Sequence, residues 1–178
     1  MLITAFVVRV PSAECVVAEL RNRFDSTAQL GVPAHVSILV PFMSPDRVTA
    51  AVLARAQEAL NEIPSFAFSL RRVGRFPTTT YLEPDPPERF VAMTATLVRA
   101  FPAFPPYEGE HAEVIPHLTV AHGDAFSAGL AAVELQEKVR RSGAIETMCT
   151  SVTLLENSTG RWQAMHDFYL PKSIGVPS

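Results

Sequence analysis

The sequence reads HVSI at His35–Ile38 and HLTV at His117–Val120, so one order of histidine, apolar residue, hydroxyl residue and apolar residue occurs twice. Side chains alternate between the two faces of an extended strand. Each stretch would therefore direct one imidazole and one hydroxyl to one face and bury its aliphatic residues on the other. If two such strands face each other across a groove, one site holds two imidazoles and two hydroxyls.

A similar order of expected elements follows each stretch: a strand, a helix and two further strands. The first set is His35–Phe42, a helix opened by Ser44 and Pro45, Phe66–Leu70 and Thr80–Leu82, and the second set is His117–Ala121, Phe126–Arg141, Thr150–Leu155 and Trp162–Leu170. We interpret the chain as a divergent duplication, with approximate repeats 1–84 and 85–178 in one two-lobed domain.

Length and composition are typical of a compact soluble domain. The chain has 178 residues, of which 48% are hydrophobic and 19% are charged, which argues against disorder. Met1–Val8 is apolar but short, with no basic residue ahead of it, and fits a first strand better than a signal peptide. No stretch approaches the roughly 18 apolar residues of a membrane span. We therefore expect a cytoplasmic protein, and a monomer.

Two more helices are expected, at Ser12–Phe24 and Pro87–Phe101, each with one apolar face. Between the second of these and the second histidine stretch lies the irregular segment Pro102–Pro116. A connection of that length is unusual unless it packs on the body of the domain or overhangs a site.

The charge balance limits the class of partner. A formal net charge of −3 argues against broad binding to nucleic-acid backbones, which needs a basic face. Arg71, Arg72 and Arg75 form a basic cluster that could guide a phosphate, although such a run is more often a solvated surface. A small nucleotide or an RNA terminus is therefore a better partner than a long duplex.

These residues resemble a known family, the two-histidine (2H) phosphoesterase superfamily, and within it the branch of 2′-5′ RNA ligase-like proteins. The resemblance rests on the two His-x-(Ser/Thr)-x stretches, their separation, the lead-in Gly31–Ala34, the proline at Pro116 and the ending Trp162–Leu170. It implies an α+β, bilobal fold, in which two antiparallel sheets are related by a pseudo-twofold axis and helices cover their outer faces. It also implies metal-independent chemistry, with no cofactor, on 2′,3′-cyclic phosphates or 2′-5′ phosphodiesters.

Matched residue by residue, the family's histidines fall on His35 and His117, and its hydroxyl positions fall on Ser37 and Thr119. The first motif has serine where threonine is the commoner residue, and serine supplies the same hydroxyl.

The chemistry requires these groups independently of the family. Opening a cyclic phosphodiester needs a base that takes a proton from the nucleophile and an acid that protonates the departing sugar oxygen, and imidazole can do either near neutral pH. In-line displacement places nucleophile and leaving group on opposite sides of phosphorus, so histidines on two facing strands suit it. Ser37 and Thr119 would donate to the non-bridging oxygens. The sequence does not tell which histidine is the acid.

Two other interpretations of single residues stay open. His111, His117 and His122 with Glu113 could form a metal site, but His122 lies five positions after His117 and should face the opposite side of a regular strand. Tyr81 could contact the substrate, and Tyr81 and Phe42 could stack on a base, although core packing is at least as plausible for both.

We interpret the chain as a phosphoesterase and favour hydrolysis over ligation, because no Gly-rich phosphate loop of the Walker type indicates a nucleotide-activating site. The first alternative is a non-catalytic module that uses the same groove to bind a nucleotide or an RNA end. A scaffold with an incidental groove is a third and weaker alternative. Turnover of a 2′,3′-cyclic nucleotide separates the enzyme from both.

Overall fold

A computed structural model of the protein describes residues 1–109 and 114–173. This part of the chain contains eight strands and five α-helices. The strands are β1 (Thr4–Arg9), β2 (His35–Leu39), β3 (Phe66–Phe76), β4 (Thr79–Asp85), β5 (Leu118–His122), β6 (Ile145–Cys149), β7 (Ser151–Glu156) and β8 (Gln163–Tyr169). The helices are α1 (Glu14–Phe24), α2 (Ser26–Gln29), α3 (Ala50–Leu60), α4 (Glu88–Ala100) and α5 (Ala125–Ser142).

The strands form an antiparallel sheet in the order β6-β3-β4-β5-β2-β1-β7-β8. At its centre β2 and β5 are joined through one residue pair, Val36 and Leu118, whereas the other neighbouring strands pair over four or more residues. The sheet therefore consists of a first half-sheet (β2, β1, β7, β8) and a second half-sheet (β5, β4, β3, β6). This arrangement confirms the expected α+β fold with two antiparallel lobes, and the two histidine strands meet where the lobes join.

The half-sheets do not coincide with halves of the chain. β1 and β2 belong to the first half-sheet, but β3 and β4, which follow them in sequence, belong to the second. The division into approximate repeats 1–84 and 85–178 stays a prediction.

The core lies between the sheet and the helices. α1 and α5 pack on the second half-sheet, α4 packs against β2, and α3 packs against α4 and β8. The alternate residues of the histidine strands, Val36, Ile38, Leu118 and Val120, are at most 2% exposed and belong to this core. Burial of these side chains, worth about 1.5–3 kcal/mol each, fixes the opposite face of both strands toward the groove.

Most expected elements are confirmed within a few residues, and Thr4–Arg9 is the first strand. The expectation that Ser44 and Pro45 open helix α3 was wrong, because Pro45–Arg47 is a single 3₁₀ turn and Val48 has an extended backbone. The helix begins after Thr49, whose hydroxyl accepts from the Val52 N–H at 3.3 Å.

The sequence pattern does not predict β6, and it ends β3 too early. A register shift between Leu70 and Arg72 leaves Arg71 and Arg72 exposed side by side, which breaks the alternation by which strands are recognised. None of the helices in the described part of the chain is long and apolar enough to cross a membrane.

Candidate active site

The two motif histidines are held in the same way at the starts of β2 and β5. His35 Nδ1 lies 2.8 Å from the Pro33 carbonyl oxygen, and His117 Nδ1 lies 2.7 Å from the Ile115 carbonyl oxygen. In each case the partner is two residues back along the chain. A carbonyl oxygen only accepts hydrogen bonds, so Nδ1 carries the proton in both neutral rings. The unprotonated nitrogen of each ring is then Nε2, which is available as a base.

The hydroxyls of the motif share the histidines' face. Ser37 Oγ lies 3.2 Å from His35 Nε2, and because that nitrogen is unprotonated the hydroxyl donates to it. Thr119 follows His117 by the same interval, and both hydroxyl residues are partly buried. The side chains of His35, Ser37, His117 and Thr119 all line one cavity. The structure therefore brings together the four residues that the sequence predicts.

Both imidazoles have a pKa lower than that of a free histidine, so both are more readily neutral. Burial lowers the pKa of His35 to about 4, and the hydrogen bond to Pro33 opposes this effect. The positive charge of Arg21 lowers this pKa further, whereas the negative charge of Asp25 raises it. Burial also lowers the pKa of His117, against the opposing effect of the Ile115 carbonyl. At neutral pH each Nε2 therefore carries a lone pair, and at His35 that lone pair accepts a hydrogen bond from the Ser37 hydroxyl.

The cavity has a volume of about 890 Å³ and lies across the junction of the half-sheets. Its first wall, beside His35, carries the apolar residues Ala5, Val7, Val32, Val40, Leu155 and Trp162, together with Asp25 and Thr27. Its second wall, beside His117, carries Phe76, Pro77, Thr79, Ile115 and His122. Tyr107 also lines the cavity. The segment Pro102–Pro116 therefore reaches the site through Tyr107 and Ile115, which agrees with the expectation that it overhangs a site.

His122 corrects the expectation drawn from strand alternation. Thr119 pairs with Tyr81 while Ala121 pairs with the adjacent Thr80, so β5 contains an extra residue, a β-bulge. A bulge re-aims the side chains that follow it. His122 consequently lines the same cavity as His117, with its Nδ1 2.9 Å from Thr79 Oγ1.

The first half-sheet repeats this bulge at the equivalent place. Ser37 pairs with Val7 and Leu39 pairs with the adjacent Phe6, so β2 also contains an extra residue. Val40 therefore enters the cavity at the position that corresponds to His122. The two walls are related in backbone geometry but differ in chemistry, because one has valine where the other has imidazole.

A buried ion pair supports the segment before His35. Arg21 and Asp25 are 2% and 3% exposed, and Arg21 Nη2 lies 2.9 Å from Asp25 Oδ2. Arg21 Nη1 also donates to the Val32 carbonyl at 3.0 Å, and the other carboxylate oxygen of Asp25 accepts from the N–H and hydroxyl of Thr27. The pair thus fixes the chain directly before the carbonyl of Pro33 that orients His35.

Tyr81 lies under the site. Its side chain is 6% exposed, its ring centroid is 5.3 Å from that of His117, and its ring fills the space over Gly74. Phe76 packs edge-on against His117 at 5.3 Å. Tyr81 is not among the described residues that line the cavity, so its contact with His117 suggests support of that ring, and a direct contact with substrate stays a prediction.

Other sequence candidates lie elsewhere. Phe42 is 3% exposed and packs in the core against Phe6, Phe101 and Phe104, so it is not a base-stacking residue. Arg71, Arg72 and Arg75 do not line the cavity; Arg72 pairs with Glu83 on the surface, and Arg75 donates to the Ala125 carbonyl. The interpretation of this cluster as a solvated surface therefore describes it better.

Residues 1–109 and 114–173 contain no group of three or more histidine, cysteine, aspartate or glutamate side chains arranged to hold a metal ion. His111 and Glu113 lie outside the described residues. The alternative metal site that includes them is therefore not tested.

Three residues in or beside the cavity have weak signals in the sequence. Arg21 lies within the apolar face of α1 between Leu20 and Phe24, and an aspartate follows it by four residues, a spacing that predicts a buried ion pair. Trp162 is the chain's single tryptophan and follows a turn. The sequence does not indicate that His122 faces the cavity, because the bulge changes the direction of its side chain.

Comparisons with known proteins agree with this geometry. A family model described as the 2′-5′ RNA ligase superfamily matches residues 8–161. No curated protein matches the sequence. Among solved structures, E. coli LigT complexed with 3′-AMP is similar at 15% identity with a TM-score of 0.60, over 95% of this chain and 98% of that chain.

Two further structures give the same result. TT0787 of Thermus thermophilus is similar at 14% identity with a TM-score of 0.59, over 97% of this chain and 100% of that chain. E. coli LigT complexed with NADP+ is similar at 16% identity with a TM-score of 0.57, over 96% of this chain and 98% of that chain. At such low identity the structural likeness shows the fold.

Proposed function

The chain belongs to the 2′-5′ RNA ligase superfamily of two-histidine phosphoesterases, and we propose that it hydrolyses 2′,3′-cyclic phosphates or 2′-5′ phosphodiesters of nucleotides or RNA ends. The observation that carries this proposal is the matched anchoring of the two histidines. Both Nδ1 atoms are held by carbonyl oxygens, and both imidazoles line one cavity. Anchoring of both rings supplies the preorganised pair that general acid–base catalysis needs.

The proposed reaction is an in-line displacement at phosphorus. One imidazole takes a proton from water as the water oxygen bonds to phosphorus, and the bond from phosphorus to the 2′ or 3′ oxygen breaks. The other imidazole, protonated beforehand, gives its proton to that sugar oxygen. As the substrate binds, the Ser37 hydroxyl turns from His35 Nε2 to a non-bridging oxygen, which leaves that nitrogen free to take the proton. Thr119 also donates to the non-bridging oxygens, whose negative charge persists through the reaction.

We assign the base to His35 and the acid to His117. At His35 burial lowers the pKa to about 4, while the charges of Arg21 and Asp25 act in opposite directions, so Nε2 stays unprotonated at neutral pH. At His117 burial acts alone against the Ile115 hydrogen bond. His117 is therefore the better carrier of the proton that the leaving group needs.

The neighbouring structures support a nucleotide as the substrate class. E. coli LigT has been crystallised with 3′-AMP, with NADP+ and with phosphate. A cavity of about 890 Å³ falls within the usual range for small-molecule sites and has room for a nucleotide. The bound groups of that protein thus match in kind the phosphate and nucleoside that this cavity would hold.

The test is a panel of 2′,3′-cyclic nucleotides and short oligonucleotides with cyclic or 2′-5′-linked ends, with identification of the products. We expect conversion of at least one cyclic nucleotide to a single 2′- or 3′-monophosphate. Saturable binding without turnover would instead favour the binding module. The absence of both binding and turnover would contradict the phosphoesterase and the binding module alike.

A further inference from the structure

The two walls of the cavity differ in a way that orients a substrate. The first wall is mainly apolar, with Asp25 and Thr27 as its polar residues, and holds the indole of Trp162. The second wall instead holds the Thr79–His122 hydrogen-bonded pair. The equivalent bulges place Val40 and His122 at matching positions, so this difference comes from side chains and not from backbone. A substrate with an apolar ring at one end and polar groups at the other would bind in one direction.

Trp162 is the aromatic surface of the first wall. Its side chain is partly buried and lines the cavity. No aromatic side chain in the described part of the chain makes a ring contact with it, whereas Phe76 on the second wall packs against Tyr81 at 4.6 Å and against His117. The protein itself covers part of the π surface of Phe76, whereas no aromatic ring of the described residues covers Trp162 where it lines the cavity.

The backbone of Trp162 is fixed by the segment that leads to His35. Its N–H donates to the Leu30 carbonyl at 2.8 Å. A Cβ atom at Gly31 would lie 2.9 Å from the Trp162 carbonyl oxygen, and Gly31 has φ +97°, so only glycine allows this close approach. The aromatic surface and the first histidine are therefore held by one short stretch of chain, Leu30–His35.

The indole also rests on a small apolar cluster of its own. Ala5, Val7, Val32 and Leu155 are at most 8% exposed, and Trp162 packs against them on the cavity side of the sheet. A tryptophan that is packed from below loses little freedom when a ligand covers it. Such a surface is suited to stacking, which is sequence-tolerant because every base has a π face.

We propose that Trp162 is the nucleobase subsite, so that the base of the substrate stacks on the first wall and its phosphate lies between His35 and His117. This inference rests on the proposed function for the identity of the substrate. It adds the direction of binding and the residue that recognises the base.

The chain's single tryptophan makes the subsite directly observable, because all tryptophan fluorescence comes from this residue. Adenosine 3′-monophosphate should quench the emission saturably, whereas inorganic phosphate and ribose 5-phosphate at the same concentrations should not. Absence of quenching by the nucleotide would overturn the proposal.

Variants measure the contribution of the indole to affinity and to turnover. Trp162→Leu should raise the dissociation constant for adenosine 3′-monophosphate, measured by calorimetry, about 5-fold to 150-fold, and Trp162→Phe should raise it less. The affinity for inorganic phosphate should not change in either variant. Tyr169→Leu is the matched control, because Tyr169 is a 70% exposed aromatic that does not line the cavity.

Turnover separates this inference from the proposed function. If the protein hydrolyses cyclic nucleotides, Trp162→Leu should lower kcat/KM for them but not for the base-free glycerol 1,2-cyclic phosphate. An unchanged nucleotide affinity in a folded Trp162→Leu variant would overturn the subsite while leaving the phosphoesterase intact. Quenching and weakened binding without any turnover would support the subsite and contradict the phosphoesterase.

Discussion

The lowered pKa of His35 makes a specific prediction about stability at acid pH. The perturbation is His35→Asn, which retains an amide N–H donor near Pro33 but does not titrate. The wild-type imidazole has a pKa of about 4 when folded and about 6.5 when unfolded. Between these pH values the unfolded chain binds more protons at His35 than the folded protein does. The contribution of His35 to the free energy of unfolding is therefore fully present above about pH 6.5 and is lost as the pH falls toward 4.

The magnitude follows from the two pKa values. Acidification from about pH 7.5 to about pH 5 should remove about 2 kcal/mol of unfolding free energy through His35 alone, and partial exposure of the ring reduces this toward about 1 kcal/mol. Other titrating groups are common to both proteins. The difference in stability between His35→Asn and wild type should therefore shift by about 1–2 kcal/mol in favour of the variant on acidification.

The assay is urea unfolding followed by circular dichroism at both pH values, for wild type, His35→Asn and His122→Asn. His122 is exposed, so its variant controls for loss of an imidazole from the same cavity. A stability difference between His35→Asn and wild type that is the same at both pH values would refute the buried, neutral state of His35.

Three more outcomes are expected. Ser37→Ala and Thr119→Ala should each lower kcat on a 2′,3′-cyclic nucleotide about 10-fold to 10³-fold, as loss of a transition-state donor does; normal turnover per folded molecule would return both hydroxyls to a structural role. Asp25→Asn should lower the free energy of unfolding in urea by about 3–5 kcal/mol, because it leaves Arg21 buried without its carboxylate. The control Glu83→Gln, which breaks the exposed pair with Arg72, should lower it by less than about 1 kcal/mol. Equal losses in the two variants would contradict the importance of the buried pair. Dialysis against a strong chelator, with elemental analysis for zinc, manganese and magnesium, should leave the rate unchanged; a loss that one added metal restores would revive the site around His111, His117 and His122.

The paired motif predicts which face of each histidine strand is buried and which groups form the centre of the site, because this information is local. The α+β fold with two antiparallel sheets was implied by the family resemblance. Alternation within His35–Ile38 and His117–Val120 assigns one face of each strand to the core, and the buried aliphatic residues confirm it. The spacing of the motif and its hydroxyls then places four groups on the other face. Neither inference needs to know how distant parts of the chain pair, whereas the meeting of the two strands beside one cavity does.

Features that depend on pairing between strands were missed for the same reason. The bulge that turns His122 into the cavity is defined by its register with Thr80 and Tyr81, which the sequence of β5 alone does not contain. The first wall likewise assembles residues from β1, β7 and the turn before β8. Trp162 becomes part of the site only because Leu30 and Gly31 hold its backbone beside the segment that leads to His35.

The central claim is that two facing imidazoles carry out the chemistry, and single-turnover hydrolysis of a 2′,3′-cyclic nucleotide tests it most directly. His35→Ala and His117→Ala, each verified as folded by circular dichroism, should lower the single-turnover rate at least about 10²-fold, since general acid–base groups contribute about 10² to 10⁴. Their nucleotide affinity should fall much less than the rate. A rate near that of wild type in either folded variant would contradict the two-histidine mechanism.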